Sequence, residues 1–335
     1  MEKRVTFRSG KLKLVGIMHV PDDLKRGERR PAIIVLHGFG SNKNSNNCVD
    51  PCRMFTGWGY VTLRFDMRGC GESDGEFGRI ICLEQVEDTR AALSFLQTRR
   101  EVDPKRIGVT GSSFGAAVAV YTGGVDKRVG CVISSGGWGH GEQKFRRQHP
   151  TPEGWAHFTG LLEEGRRHRE RTGKSLMIDR YDIVPIPAHL RGHLSKNSVA
   201  RFPAETAQSM FNFCAEDVVG DIAPRSLLLL HSSDDSVTPT EQSIRMFARA
   251  GQPCDLHLFA ETDHFMFAEG NTRVREIVKS WLDRFFPVKG AGIRRIPKKK
   301  GAPKAKKLRA AAQPVTGANR SSRRGARSRK PSSTR

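Results

Sequence analysis

Gly111-Ser112-Ser113-Phe114-Gly115 sits between a short apolar run, Arg106 to Thr110, and an Ala-rich stretch from Ala116 to Tyr121. The run reads as a strand and the Ala-rich stretch as a helix. Between them lies a tight turn with Ser113 at the centre of a G-x-S-x-G pattern. Residues without bulky side chains let strand and helix approach closely, and a serine on so sharp a bend occupies strained backbone. The helix start directs free N–H groups at any anion formed nearby.

The segments on either side fix the architecture. Residues 2–8 and 11–20 alternate apolar and polar and meet at Ser9-Gly10, a hairpin. Pro31 to Leu36 is continuously apolar, as a strand buried on both faces requires, and ends in His37-Gly38-Phe39-Gly40. A helical stretch from Val49 to Trp58 leads to a second such strand, Tyr60 to Phe65. That strand ends in a loop dense in glycine and charge, Asp66 to Gly75. A helix over about 80–98, the turn strand and a strand from Val129 to Ser134 complete the first half. Strands alternating with helices predict a mostly parallel, doubly wound α/β sheet.

The alternation stops after Gly136-Gly137. Residues 138–220 are mixed and basic, with helices over Pro152–Thr172 and Pro203–Phe213 and no strong strand. It resumes with Ser226 to His231, a helix from Thr240, a strand over Asp255–Phe259 and a last helix capped by Asn271 and ended by Pro287. The middle reads as a cap inserted into one domain that spans 1–287.

Net charge is +22, from 57 Lys/Arg against 35 Asp/Glu. Residues 288–335 carry 17 of those basic residues and no acidic one, which leaves 40 basic against 35 acidic in the body. The tail lacks the apolar content needed to offset ordering and reads as disordered. It suits weak electrostatic attachment to nucleic acid or an anionic membrane, or serves as a solubilising extension. No aromatic residue interleaves its charges, which argues against base stacking. The seven cysteines are scattered and only Cys48 and Cys52 are close, so free thiols in a reducing compartment are expected. With neither a signal-peptide pattern at the start nor a run of transmembrane length, the expected location is cytoplasmic.

Taken together, residues 1–287 resemble the α/β-hydrolase superfamily, in its acyl-esterase and prolyl-oligopeptidase-like branch. His37-Gly38-Phe39-Gly40 resembles the oxyanion turn, and Asp66-x-Arg68-Gly69-x-Gly71-x-Ser73 a loop common in these enzymes. His231-Ser232-Ser233-Asp234-Asp235-Ser236-Val237-Thr238-Pro239 resembles the segment carrying the acid, with Ser232 in place of the usual glycine. Glu261-Thr262-Asp263-His264-Phe265 stands where the histidine belongs. The resemblance implies a catalytic triad of Ser113, Asp235 and His264, with Asp234 as the neighbouring alternative acid. It also implies an oxyanion hole from the backbone N–H groups of Phe39 and Phe114.

A serine hydroxyl needs a base, a base of this kind needs a carboxylate to orient it, and the oxyanion needs preorganised donors worth about 3 kcal/mol each. No cofactor and no metal are expected, and the partner is a small-molecule acyl substrate. Asp66 and Arg68 read as loop ties, and His37 as packing beneath the turn. The cap histidines His140, His149, His157, His168, His189 and His193 have no metal-like spacing and read as solvated or loop positions. The expected activity is a carboxylesterase acting through an acyl-enzyme. An exopeptidase, for which Glu142, Glu153, Glu163 or Glu164 would supply an amine-binding acid, stays open. So do acyl transfer to an alcohol and a non-catalytic ligand-binding or adaptor role. Trp138, Trp155, Phe158, Phe202, Met210 and Phe211 are the candidates for the pocket lining.

Overall fold

The computed structural model describes residues 1–195, 197–267 and 271–289. The tail expected from 288 onward lies outside the described residues except for Val288 and Lys289.

Strands β1 (Glu2–Ser9) and β2 (Leu12–His19) form the expected hairpin. Next come β3 (Arg30–Leu36), α1 (Asn46–Gly57), β4 (Val61–Phe65), α2 (Cys82–Gln97), β5 (Val102–Ser112), α3 (Phe114–Val125) and β6 (Val129–Ser135). Within 136–225 lie α4 (Gly141–Gln148), α5 (Pro152–Thr172), β7 (Met177–Asp179), α6 (Arg180–Ile183), β8 (Arg201–Pro203) and α7 (Ala204–Asn212). The chain then adds β9 (Ser226–Ser232), α8 (Glu241–Arg249), β10 (Cys254–Phe259) and α9 (Thr272–Phe285).

Eight strands form one sheet in the order β1-β2-β4-β3-β5-β6-β9-β10. Only the β1–β2 and β2–β4 pairs are antiparallel; every other pairing is parallel. β7 and β8 form a separate antiparallel pair, where the sequence suggested no strong strand. These strands are three residues each, too short for an alternating pattern to register.

The unbroken apolar runs are explained by burial on both faces. In β3, Ala32, Ile34 and Leu36 join the core on one side of the sheet, while Ile33 and Val35 join the other. β9 divides likewise, with Leu227 and Leu229 opposite Leu228 and Leu230. Each of the Leu, Ile and Val side chains contributes about 1.5–3 kcal/mol of transfer free energy. Helix α9 covers the second face with Val274, Val278, Trp281 and Leu282, and Asn271 caps its first turn. All seven cysteines are free, and six are buried.

The turn between β5 and α3 is packed to backbone contact. A Cβ on Gly111 would overlap the Gly115 backbone, and one on Gly115 would come within 2.6 Å of the Leu36 and His37 carbonyl oxygens. Glycine at both positions is what lets α3 lie against β3 and β5. By contrast, Gly160 on α5 has open space around it. Gly111→Ala is therefore expected to abolish or severely reduce soluble, cooperatively folding protein. Gly160→Ala should raise stability by about 0.5–1 kcal/mol in chemical denaturation, through its helix propensity.

Candidate active site

Every expected site residue sits at the end of a strand or just beyond it. Ser113, between β5 and α3, has φ 55° and ψ −115°, a backbone region sparsely populated by residues other than glycine. Its N–H donates to the Ser135 carbonyl at 2.8 Å, and its own carbonyl accepts from Ala116 and Ala117, so both sides of the bend are tied down. Phe114 opens α3, and its N–H therefore has no acceptor within the helix. Phe39 follows β3 on the turn beside it.

Asp235, in the loop after β9, is the carboxylate brought to His264; Asp234 is exposed. His264 Nδ1 lies 3.0 Å and 2.9 Å from the two Asp235 oxygens. Asp235 Oδ1 also accepts the N–H groups of Val237 at 2.8 Å and Thr238 at 2.7 Å. His231 Nε2 stands 3.3 Å from Oδ2. Burial pushes the Asp235 carboxyl up, but the charges and hydrogen bonds of His264 and His231 outweigh it and hold the group well below the usual carboxylate range. His231 is itself fixed, with Nδ1 2.6 Å from Ser243 Oγ and Nε2 2.9 Å from the Thr238 carbonyl. Its role as a second partner of Asp235 was not legible in the motif.

The loops carrying the acid and the imidazole are laced together. Ser232 Oγ donates to the Thr262 carbonyl at 2.7 Å, while the N–H and Oγ of Ser236 donate to Asp263 at 2.9 Å and 2.7 Å. The hydroxyl that replaces the usual glycine thus joins β9 to the His264 loop.

The residues set aside as supports behave as such. Asp66 accepts from the Lys43 N–H at 2.7 Å, Lys43 Nζ at 2.6 Å and the Glu72 N–H at 2.9 Å. Arg68 pairs with buried Asp88. His37 Nε2 accepts the Met67 N–H at 3.2 Å, and its Nδ1 lies 2.9 Å from the Gly38 carbonyl.

Ser113, His264 and Phe39 line one narrow chamber of about 40 Å³, with Trp138, Lys144, Arg180, His193 and Met210 among its other walls. That volume has room for no more than a few waters. A wider groove of about 790 Å³ shares none of these residues. Of the six lining candidates, only Trp138 and Met210 reach the chamber. Trp155, Phe158 and Phe211 pack together with Phe145 inside the cap, and Phe202 stacks on the Phe39 ring with centroids 4.2 Å apart. Aromatics on the cap helices serve packing, which spacing alone does not distinguish from lining. His193, at the end of a short turn in the cap, lines the chamber beside Phe265.

Two cations were missed. Arg180 is buried, and its guanidinium donates to the carbonyls of Phe39, Gly40 and Val199. Burial lowers it to about 10. Lys144 lies on α4 with its ammonium against the Phe145 and Trp138 rings. A signal was available: Gly141, Lys144 and Phe145 fall on one stripe of a helix, the stripe that is buried.

Glu142, Glu153, Glu163 and Glu164 are not on the wall, and no Asp or Glu is among its described residues. Among the described residues, no group of three or more His, Cys, Asp or Glu is placed to hold a metal ion, and no helix is long and apolar enough to cross a membrane.

A family model described as Hydrolase_4, serine aminopeptidase S33, matches residues 27–271. The chain is 24% identical over 279 residues to acyltransferase drtE of Aspergillus calidoustus, covering 78% of this chain and 88% of that protein. Among solved structures, the α/β hydrolase GrgF from Penicillium sp. superposes with a TM-score of 0.69 at 21% identity, over 85% of this chain and 98% of that one. Est1E from Butyrivibrio proteoclasticus with ferulic acid bound gives a TM-score of 0.61 at 17% identity, over 84% and 98%.

A carboxylate held below its usual range contributes stability above the pKa of the unfolded chain, about 3.9, and loses it as pH falls toward the folded value. In urea titrations between about pH 5 and pH 3, Asp235→Asn should therefore flatten the decline in stability relative to the unchanged chain. Parallel declines would show that folding does not depress this carboxyl.

Proposed function

The chain belongs to the α/β-hydrolase family represented by the serine aminopeptidase S33 model, and from that premise we propose that it cleaves a carboxylic ester, or a related acyl bond, through an acyl-enzyme on Ser113. His264 removes the hydroxyl proton as Ser113 Oγ attacks the acyl carbonyl. Asp235 holds the imidazole so that its other nitrogen faces the serine, and stabilises the imidazolium that forms. The carbonyl oxygen, now an alkoxide, rests on the N–H groups of Phe39 and Phe114. His264 returns the proton to the leaving alcohol, and water repeats the sequence to release the acid.

The observation that carries this reading is the approach of Asp235 to His264 Nδ1 at 2.9 Å, with His264 and Ser113 walling the same chamber. An ester is favoured over a peptide with a free amino terminus. Such an amine requires an acidic partner, and the described chamber wall offers Lys144 and Arg180 instead. A second reading is acyl transfer to an alcohol. It is favoured by the relative named an acyltransferase. Adding a competing alcohol and measuring how the acyl group partitions between ester and acid decides between water and alcohol as acceptor.

With p-nitrophenyl acetate and butyrate, kcat/KM should rise with pH as the imidazole loses its proton, then reach a plateau. Ser113→Ala and His264→Ala should each lower kcat by at least about 10³-fold, and Asp235→Asn by about 10²–10⁴-fold. A fluorophosphonate should label the chain, and Ser113→Ala should abolish labelling. Retained turnover or labelling in Ser113→Ala would remove the mechanism. Faster turnover of aminoacyl amides than of esters would restore the exopeptidase.

A further inference from the structure

Lys144 occupies a position that a lysine rarely tolerates. Its side chain is 2% exposed, and the ammonium nitrogen has no hydrogen-bond partner. Its neighbours include two aromatic rings, with Phe145 at 3.7 Å and Trp138 at 4.9 Å from the ring centres, and the Cys82 thiol of α2. Such contacts are worth about 2 kcal/mol when desolvated, less than the several kcal/mol that burial of an ammonium costs. The indole N–H of Trp138, also buried, is likewise unpartnered. Both residues line the chamber of Ser113 and His264. Arg180, on the same wall, spends its donors on neutral carbonyls, so no carboxylate matches its charge there. Two basic residues and a tryptophan with an orphaned N–H therefore line a space whose described wall holds no acidic side chain. Apolar packing does not explain this, since methionine would fill the volume of Lys144 without the cost.

We propose that Lys144 is a specificity-determining residue that binds an anionic oxygen of the acyl group, and that the preferred substrates carry a carboxylate beyond the scissile carbonyl, as the half-esters of dicarboxylic acids do. The carboxylate accepts from Lys144 Nζ and the Trp138 N–H, satisfying both orphans, while the ester carbonyl remains at Ser113. This rests on the acyl-bond chemistry proposed above but adds the substrate's charge to it. Burial moves the Lys144 ammonium down to about 7, opposed only by the nearby Cys82 thiol of α2. A bound carboxylate would hold the proton on. The other titratable or charged groups nearby are His149 at the end of α4, and Arg180, His193 and His264 on the chamber wall.

The test compares mono-p-nitrophenyl glutarate with p-nitrophenyl butyrate in the full chain, together with binding of glutarate itself to Ser113→Ala. The half-ester should be preferred in kcat/KM at about pH 6, and the preference should shrink by pH 8.5 as the free amine loses its proton. Lys144→Met should cut the half-ester to butyrate ratio by about 10–100-fold, mainly through KM, the range expected for a charged hydrogen bond. The pH profile of the unchanged chain provides the same answer if that variant fails to fold. Butyrate turnover without a half-ester preference would overturn this inference and leave the hydrolase reading standing. Glutarate binding that Lys144→Met abolishes, in a chain that turns over neither ester, would support the anion site and overturn the chemistry. A ratio unchanged by Lys144→Met would also overturn the inference.

Discussion

The site depends on how closely α3 is allowed to approach the sheet. Two missing side chains, at Gly111 and Gly115, set that distance, and the bend at Ser113 is its geometric result. The serine is held in unfavourable backbone by hydrogen bonds from both flanks, including one to β6, its neighbour in the sheet. The strain is therefore supported by the whole parallel sheet, whose strands contribute buried residues to both faces. What the strain provides is position: a hydroxyl at the rim of the sheet beside the first unsatisfied N–H of a helix.

The remaining groups are placed by the same sheet and then fixed by local bonds. Asp235 is oriented by two backbone N–H groups and flanked by two imidazoles, only one of which faces the chamber. His231, on the far side, is immobilised by Ser243 and Thr238, so it works as a rigid electrostatic support. The hydroxyl of Ser232 shows how a departure from a family pattern can be absorbed: the added group finds an acceptor in the neighbouring loop and ties the two loops together.

The parallel strands and the serine turn were legible because they are local, whereas Asp235 and His264 were reached through the resemblance to a known family. A fully buried strand must be apolar throughout, a backbone-tight bend must lack side chains, and a last amphipathic helix must carry its stripe. The family resemblance of the segment through Val237 and Pro239 pointed to Asp235 over Asp234, and it is Asp235 whose carboxylate lies against His264. The cap was not legible in this way. Phe158 and Phe211 differ from Met210 only in which neighbour they meet, and that is decided by how α4, α5 and α7 fold on one another. Lys144 was hidden for a further reason. It stands in a basic stretch, Gln143-Lys144-Phe145-Arg146-Arg147, where charge is ordinarily a mark of solvent.

Because Phe145 stacks on Phe158, with ring centres 4.5 Å apart, the ammonium beside it is carried on a stiff aromatic block and not on a loop. Lys144 thus reaches the chamber from a helix whose buried stripe is clamped by ring packing, and the place of its charge is set by how α4 and α5 fold against each other.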